Sequence, residues 1–147
     1  MSEERDAFLA QFGDSKHISA AQKHESRMVR TSAAMNPSAS KKNIDDSLKD
    51  EDPYVRMFAI TNKSAEASHI TKGLNDSAEV VRHAAARSDN ATTSHLTKAM
   101  KDPARSVRMS AMENLNADTS HIEKGKADRD IDVRNLAWKL HNKSTTN

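Results

Sequence analysis

The chain predicts an all-α fold: a right-handed α-solenoid of five 26-residue helix-pair repeats behind an N-terminal capping helix. Three observations predict it. First, His69–Ser94 (HITKGLNDSAEVVRHAAARSDNATTS) and His95–Ser120 (HLTKAMKDPARSVRMSAMENLNADTS) align without a gap. A fixed period of this size is the mark of a repeat architecture. Second, the frame extends to 17–42, 43–68 and 121–146, so five copies fill the chain after residue 16. Third, the apolar residues of each copy fall three, four and seven apart, the spacing of one helix face.

Numbering each copy from its first residue, several columns hold throughout. Column 13 is Val29, Val55, Val81, Val107 and Val133. Column 14 is Arg30, Arg56, Arg82, Arg108 and Arg134. Column 17 is alanine five times (Ala33, Ala59, Ala85, Ala111, Ala137), and column 2 is Ile18, Ile44, Ile70, Leu96 and Ile122.

Residues 1–16 lie outside the frame and are expected to cap the stack. Ser2 before Glu3 and Glu4 suits a helix start. Phe8, Leu9 and Phe12 share a side that would cover the first copy's apolar edge, as the end of a solenoid requires. Gly13 would close this helix and Asp14 or Ser15 would open the next.

Each copy then starts with a helix of about two turns. Ser68, Ser94 and Ser120 are its expected N-caps, with Glu123 completing a capping box. Columns 2 and 6 (Leu48, Leu74, Met100) are its buried side. Gln22 and Lys126 break column 6 in the outer copies, where one side is expected to face water. Asp52-Pro53 and Asp102-Pro103 mark a turn, with proline at a first helical position. The second helix is expected from about column 10 to column 19. It buries columns 13, 16, 17 and 20, with the small column-17 alanine allowing close approach. Asn36, Asn62 and Asn114 would end it in the left-handed conformation. The tail HNKSTTN reads as frayed. Ordering 26 residues costs on the order of 40 kcal/mol at about 1.5 per residue, more than one helix pair can offset, so stability must come from contacts between copies.

Composition narrows the class. Hydrophobic residues are 35% and aromatics 3%, thin for a globule but enough for stacked layers. Charged residues are 30% with a net +2, which does not by itself argue for nucleic acid. With no cysteine, disulfides, thiolate metal sites and iron–sulfur clusters are excluded. No apolar run has the length to span a membrane, and the first residues lack the form of a signal peptide, so a cytoplasmic protein is expected.

The pattern D-x-x-x-x-V-R-x-x-A, seen at Asp76–Val81-Arg82 and Asp102–Val107-Arg108, is similar to that of HEAT-like repeats. The junction at Asn90-Ala91-Thr92 and His95-Leu96 resembles the short leucine-rich repeat variant units. The spelling also looks like repeats in proteins of large tailed bacteriophages. The resemblance covers residues 17–146 and speaks to fold. It implies a phage accessory or virion-associated setting, in host cytoplasm or virion.

Four features could carry chemistry. The arginine column could form an anion track for phosphates or acidic side chains, or pair with the column-8 aspartates (Asp50, Asp76, Asp102, Asp128) of the same or adjacent copy. Arg30 has His24 at column 8 in its own copy, so by sequence it is the least paired and the best single binding candidate. The histidines His17, His69, His95 and His121 recur one per copy, about 10 Å apart, too far to share an ion, so no metal is expected. They are read as helix-start residues packing on the preceding loop. Lys72, Lys98 and Lys124, with Lys23, Lys49 and Lys101, could form a basic side, but interleaved acids favour a mixed, solvated face. Tyr54, Met57, Met109, Met112 and Trp138 fall on columns expected to be exposed on the second helices, where methionine suits recognition. The alternative is that column 18 simply packs.

No catalytic constellation, cofactor motif or glycine-rich loop appears. The expected function is a non-catalytic interaction or scaffold module. A protein partner would meet Arg30, Arg56, Arg82, Arg108, Arg134, Tyr54, Met57, Met109 and Met112, with self-association as a version of this. The alternative is a nucleic-acid-backbone binder using the arginine column.

Overall fold

The computed structural model describes residues 2–146. Among the described residues all regular structure is helical, with eleven helices and no strand. α1 (Glu3–Phe12) precedes five pairs. These are α2 (Ser15–Ala21) with α3 (Arg27–Met35), α4 (Lys41–Ser47) with α5 (Pro53–Thr61), and α6 (Ala67–Leu74) with α7 (Glu79–Arg87). α8 (Thr93–Ala99) with α9 (Arg105–Glu113), and α10 (Thr119–Lys126) with α11 (Ile131–Thr145), complete the set.

α1 packs on α3, and α3, α5, α7, α9 and α11 each pack on the next. Each of these five also packs on its own short partner helix. The chain is therefore two helical layers with a thin core between them. Every column-13 valine and column-17 alanine is buried, as are Ile18, Ile44, Ile70 and Leu96, while Ile122 is half-buried. Burying one such valine, leucine or isoleucine is worth about 1.5–3 kcal/mol. Ala39, Ala65 and Ala91 in the connecting turns are buried too.

The short helices start two residues before the expected position. Their N-caps are Asp14, Ser40, Glu66, Thr92 and Asp118, spaced 26 apart, rather than Ser68, Ser94 and Ser120. In α4, α6, α8 and α10 the residue three positions on completes the box. His69 Nδ1 accepts the Glu66 N–H at 2.8 Å, His95 Nδ1 that of Thr92 at 3.0 Å, and His121 Nδ1 that of Asp118 at 3.0 Å. Asn43 Oδ1 does the same for Ser40 at 3.0 Å. Histidine here takes the place that glutamate or glutamine usually fills. Glu123 plays no part in a cap and instead accepts from Lys126 at 2.7 Å.

The asparagines that end the second helices are not left-handed. Asn36, Asn62 and Asn114 have φ of −62°, −65° and −65° with extended ψ. Their side chains explain the residue type instead. Each Oδ1 accepts the backbone N–H two residues on, and each Nδ2 donates to carbonyls of the preceding layer. Asn36 reaches Ala10 and Gly13, Asn62 reaches Ala34 and Asn36, and Asn114 reaches Ala86 and Ser88, all at 2.7–3.0 Å. These amides satisfy helix-end carbonyls that would otherwise be orphaned.

Four further expectations are corrected. α1 turns Ala10, fully buried, toward α3, while Phe8 and Phe12 are 61% and 66% exposed. Gln22 does not face water: its amide donates to Asn43 O at 2.6 Å and Ser47 Oγ at 2.7 Å, tying α2 to α4. Lys126 lies over the Trp138 ring, 4.4 Å from its centroid, with only 13% of its side chain exposed. Pro53 is the first residue of α5, but Pro103 lies in the turn ahead of α9. The tail is helical to Thr145, and Asn147 lies outside the described residues.

Size is matched across the junctions between pairs. A Cβ on Gly73 would come within 2.8 Å of Ile60 Cδ1 and 2.9 Å of Ala85 Cβ. A Cβ on Gly125 would come within 2.1 Å of Met112 Sδ and 2.9 Å of Ala137 Cβ. Where column 18 is Ala34 or Ala86 instead, the position corresponding to the glycine in the next copy is Ser47 or Ala99. Large meets glycine; small meets serine or alanine. Close packing leaves no other arrangement.

Candidate interaction surface

The arginine column faces along the stack. Arg30 Nε donates to Asp50 Oδ2, Arg56 to Asp76, Arg82 to Asp102 and Arg108 to Asp128, each at 2.8 Å. Nη2 adds a second bond to the other carboxylate oxygen, from 2.9 Å at Arg56 and Arg108 to 3.4 Å at Arg30. Nη1 reaches back to carbonyls of its own turn, as Arg56 does to Asp50 O and Glu51 O. Each guanidinium is thus a fork between one helix pair and the next, the geometry in which arginine–carboxylate pairing is strongest.

Arg30 is therefore not the unpaired member. Asp50, twenty residues on, supplies its carboxylate, and the absence of an aspartate in its own copy is irrelevant because pairing runs forward. His24, at the aspartate position, takes over that residue's other task. Its Nδ1 accepts the Ser26 N–H at 3.0 Å, as Asp50, Asp76, Asp102 and Asp128 accept N–H groups two residues on. Its Nε2 lies 3.5 Å from Asp6 of α1.

These pairs are largely out of water: the arginine side chains are 4–15% exposed and the aspartates 7–12%. Hydrogen bonds to Asp50, Asp76 and Asp102 hold Arg30, Arg56 and Arg82 above the usual arginine range. Burial pushes Asp76 and Asp128 up, but the bonds to Arg56 and Arg108, the N–H groups of Ala78 and Asp130 and the nearby guanidinium charges together outweigh it, and both carboxyls end below the usual range. Arg134 differs. Its Nη1 donates to Asp128 O at 2.7 Å, and no carboxylate among the described residues pairs with it.

The four apolar candidates separate. Tyr54 is half-exposed, with the Arg27 guanidinium 5.9 Å from its ring centroid. Met57 and Met109 are half-buried against the core. Met112 is 3% exposed and packs beside Gly125, so it belongs to the core. Column 18 is thus packing for Ile60 and Met112, and only Trp138 shows there.

Sequence reading missed Met28, which is 52% exposed and shares column 12 with Tyr54; that shared column was the available signal. Arg27, Met28, Thr31 and Ser32 of α3 and Tyr54 and Phe58 of α5 line an open groove of about 560 Å³. Its apolar lining is Met28, Tyr54 and Phe58.

Several lysines are matched to acids or amides. Lys72 bonds Asp45, Lys98 bonds Asn75, and Lys41 reaches Glu66 at 2.8 Å. Two of the histidine rings bridge layers: His95 Nε2 lies 2.8 Å from Thr71 Oγ1, and His121 Nε2 3.1 Å from Thr97 Oγ1. No group of three or more His, Cys, Asp or Glu among the described residues is placed to hold a metal ion. No helix among them is long and apolar enough to cross a membrane. Compared with protein-family models and with curated proteins, the chain matches none.

Proposed function

We propose that this chain is a right-handed HEAT-like solenoid of five 26-residue repeats and works as a non-catalytic protein-interaction scaffold. The observation that carries this reading is the groove between α3 and α5, where Met28 and Tyr54 stand half-exposed above Phe58. An exposed apolar cleft with a polar rim is where a partner's apolar side chain gains most. Arg27, already against the Tyr54 ring, gives the rim a positive charge. The bacteriophage setting rests on the resemblance of the repeats alone.

The nucleic-acid alternative asks the arginine column to meet phosphates. Four of its guanidiniums already hold aspartates and carbonyls, so a phosphate would have to displace a buried ion pair.

A pull-down from the native host, run with the wild type and with Met28→Ser/Tyr54→Ser, tests the first reading. A partner retained by the wild type and lost by the variant supports it; equal retention by both overturns the groove as the contact. Filter binding of duplex and single-stranded DNA at two salt concentrations tests the second. The scaffold reading expects no retention at low salt. Retention that falls steeply with salt reverses the preference.

A further inference from the structure

We propose that the cleft between α5 and α7 takes the side-chain carboxamide of a glutamine or asparagine presented by a segment of a partner protein. The inference rests on the reading of this chain as a protein-interaction scaffold and adds a contact one helix along from the groove between α3 and α5.

The other junctions show the chemistry. Asn36, Asn62 and Asn114 stand at column 20, where a second helix ends. Asn62 Nδ2 donates to Ala34 O and Asn36 O, and Asn114 Nδ2 to Ala86 O and Ser88 O, at 2.7–2.9 Å. These are the column-18 and column-20 carbonyls of the copy before. Between α5 and α7 the corresponding carbonyls are Ile60 O and Asn62 O, but column 20 of the third copy is Ser88. Among the described residues Asn62 O accepts only the Ala65 N–H, and nothing beyond α5 donates to Ile60 O. Leu140 also departs from asparagine, but α11 runs on to Thr145 and has no end there. Of α3, α5, α7 and α9, only α7 ends without the amide.

A space opens at the same place. Ile60, Asn62 and Ser88 line a cleft of about 400 Å³, and Met57 and Ala84 give it apolar walls for the methylenes of a side chain. Ser88 Oγ accepts the Asn90 N–H at 3.2 Å, which leaves its own proton for an incoming carbonyl oxygen. A primary carboxamide matches all three groups at once, with two protons for the two carbonyls and an oxygen for the hydroxyl. A chain departs from its own local rule in this way where function competes with stability.

Charge favours a neutral occupant. Lys63, Arg87 and Asp89 line the cleft and are exposed. Glu113 lines the adjoining cleft together with Arg87 and Asp89, so two cations face two anions. His83 is the remaining titratable group, and its Nδ1 already lies 3.1 Å from Ser110 Oγ. A lysine or arginine would add a third cation and leave the Ser88 proton without an acceptor. A carboxylate has no proton to offer either carbonyl. Tyr54 and Phe58 of α5 line the groove, while Met57 and Thr61 of the same helix line the cleft. A segment crossing α5 reaches both, which is why the amide is assigned to a protein and not to a free molecule.

Amide NMR of the full chain, titrated into the millimolar range with N-acetyl-glutamine N-methylamide, tests this. Saturating shifts are expected at Asn62, Lys63, Ser88 and Asn90. The glutamate and lysine analogues should bind about tenfold more weakly, since each leaves hydrogen-bonding groups of the cleft unmatched. Ser88→Asn supplies the amide from within and should abolish the shifts. Thr61→Tyr, at an exposed position on the cleft wall, should weaken them and serves if Ser88→Asn fails to fold. No saturating shift in the wild type, equal binding by Ser88→Asn, or a lysine analogue that binds as tightly as glutamine overturns the proposal. Tighter binding of free glutamine than of the capped form overturns the protein segment as its source. The titration needs no partner. A partner retained in the pull-down without a glutamine shift overturns the amide site alone. A glutamine shift with no partner retained overturns the scaffold, and with it the protein source, and leaves the amide site.

Discussion

Met112 of α9 occupies the space that Gly125 of α10 leaves open: a Cβ on Gly125 would meet its sulfur at 2.1 Å. Ile60 and Gly73 repeat the relationship one junction away from a small-residue junction on either side. Stacking of these helices is therefore decided pairwise, by complementary sizes, and not by the invariant columns alone.

Gly125→Ala should destabilise the chain. Overpacking a full core costs about 1–3 kcal/mol, partly offset by the roughly 1 kcal/mol that alanine gains over glycine inside a helix. Met112→Ala alone should cost about 2–5 kcal/mol. The two together should be less harmful than their sum, by about 0.5–3 kcal/mol. Urea midpoints of the four proteins give the coupling; strict additivity would mean the two residues do not share this space.

Asp128→Asn should cost about 3–5 kcal/mol, because it leaves the 4%-exposed Arg108 side chain without a counter-charge. Arg134→Met loses one bond to a carbonyl and should change stability by no more than about 1.5 kcal/mol. Comparing the two midpoints distinguishes a structural ladder from a row of surface charges.

Acid should weaken the fold in two stages. Burial holds His69 and His95 below the usual histidine range, so the native state keeps both rings neutral. The unfolded chain binds those protons first. Stability is full above the ordinary histidine pKa of about 6.5 and falls as pH drops through and below it. Asp76 and Asp128 have native values below the ordinary carboxyl range. Their contribution is present above about pH 4 and is lost as pH falls toward those lower values. His69→Asn/His95→Asn should flatten the first stage and leave the second, since Asn43 already makes the same cap without a titratable ring. Midpoints in denaturant from pH 8 to pH 3 read this directly; an unchanged first stage in the variant would remove these histidines as its cause.

Ser88→Asn should stabilise. Ser88 stands at the column where Asn36, Asn62 and Asn114 tie each helix end to the layer before it. Its hydroxyl accepts only the Asn90 N–H among the bonds of this kind, and Ile60, Asn62 and Ser88 border an open cleft there. Supplying the amide should add about 0.5–1.5 kcal/mol per bond regained. A lower thermal midpoint would show that the cleft cannot admit it.

What was legible in the chain was whatever repeats. The period of 26, the two helices per period, the second-helix limits and the buried valines and alanines follow from side-chain spacing, because burial of a helix stripe is local geometry. The caps were misplaced by two residues because serine, threonine, aspartate and glutamate all present acceptors near a helix start. Only the backbone path shows which oxygen meets the free N–H groups. The asparagines illustrate the same limit: their place was visible, but their reason, an amide reaching into the preceding layer, is a contact across 26 residues.

The arginine column marks the boundary most clearly. Sequence alone placed five guanidiniums in one row beside a row of aspartates and left two outcomes open, a track for anions or a ladder. Tertiary structure chose the ladder, because stacking brings Asp50 to Arg30 and removes both from water, where an ion pair is held rather than screened. The exposed faces were decided there as well. Which of several methionines and aromatics show on the surface depends on what packs next to them, and a one-dimensional pattern records a helix's own stripe but not its neighbour.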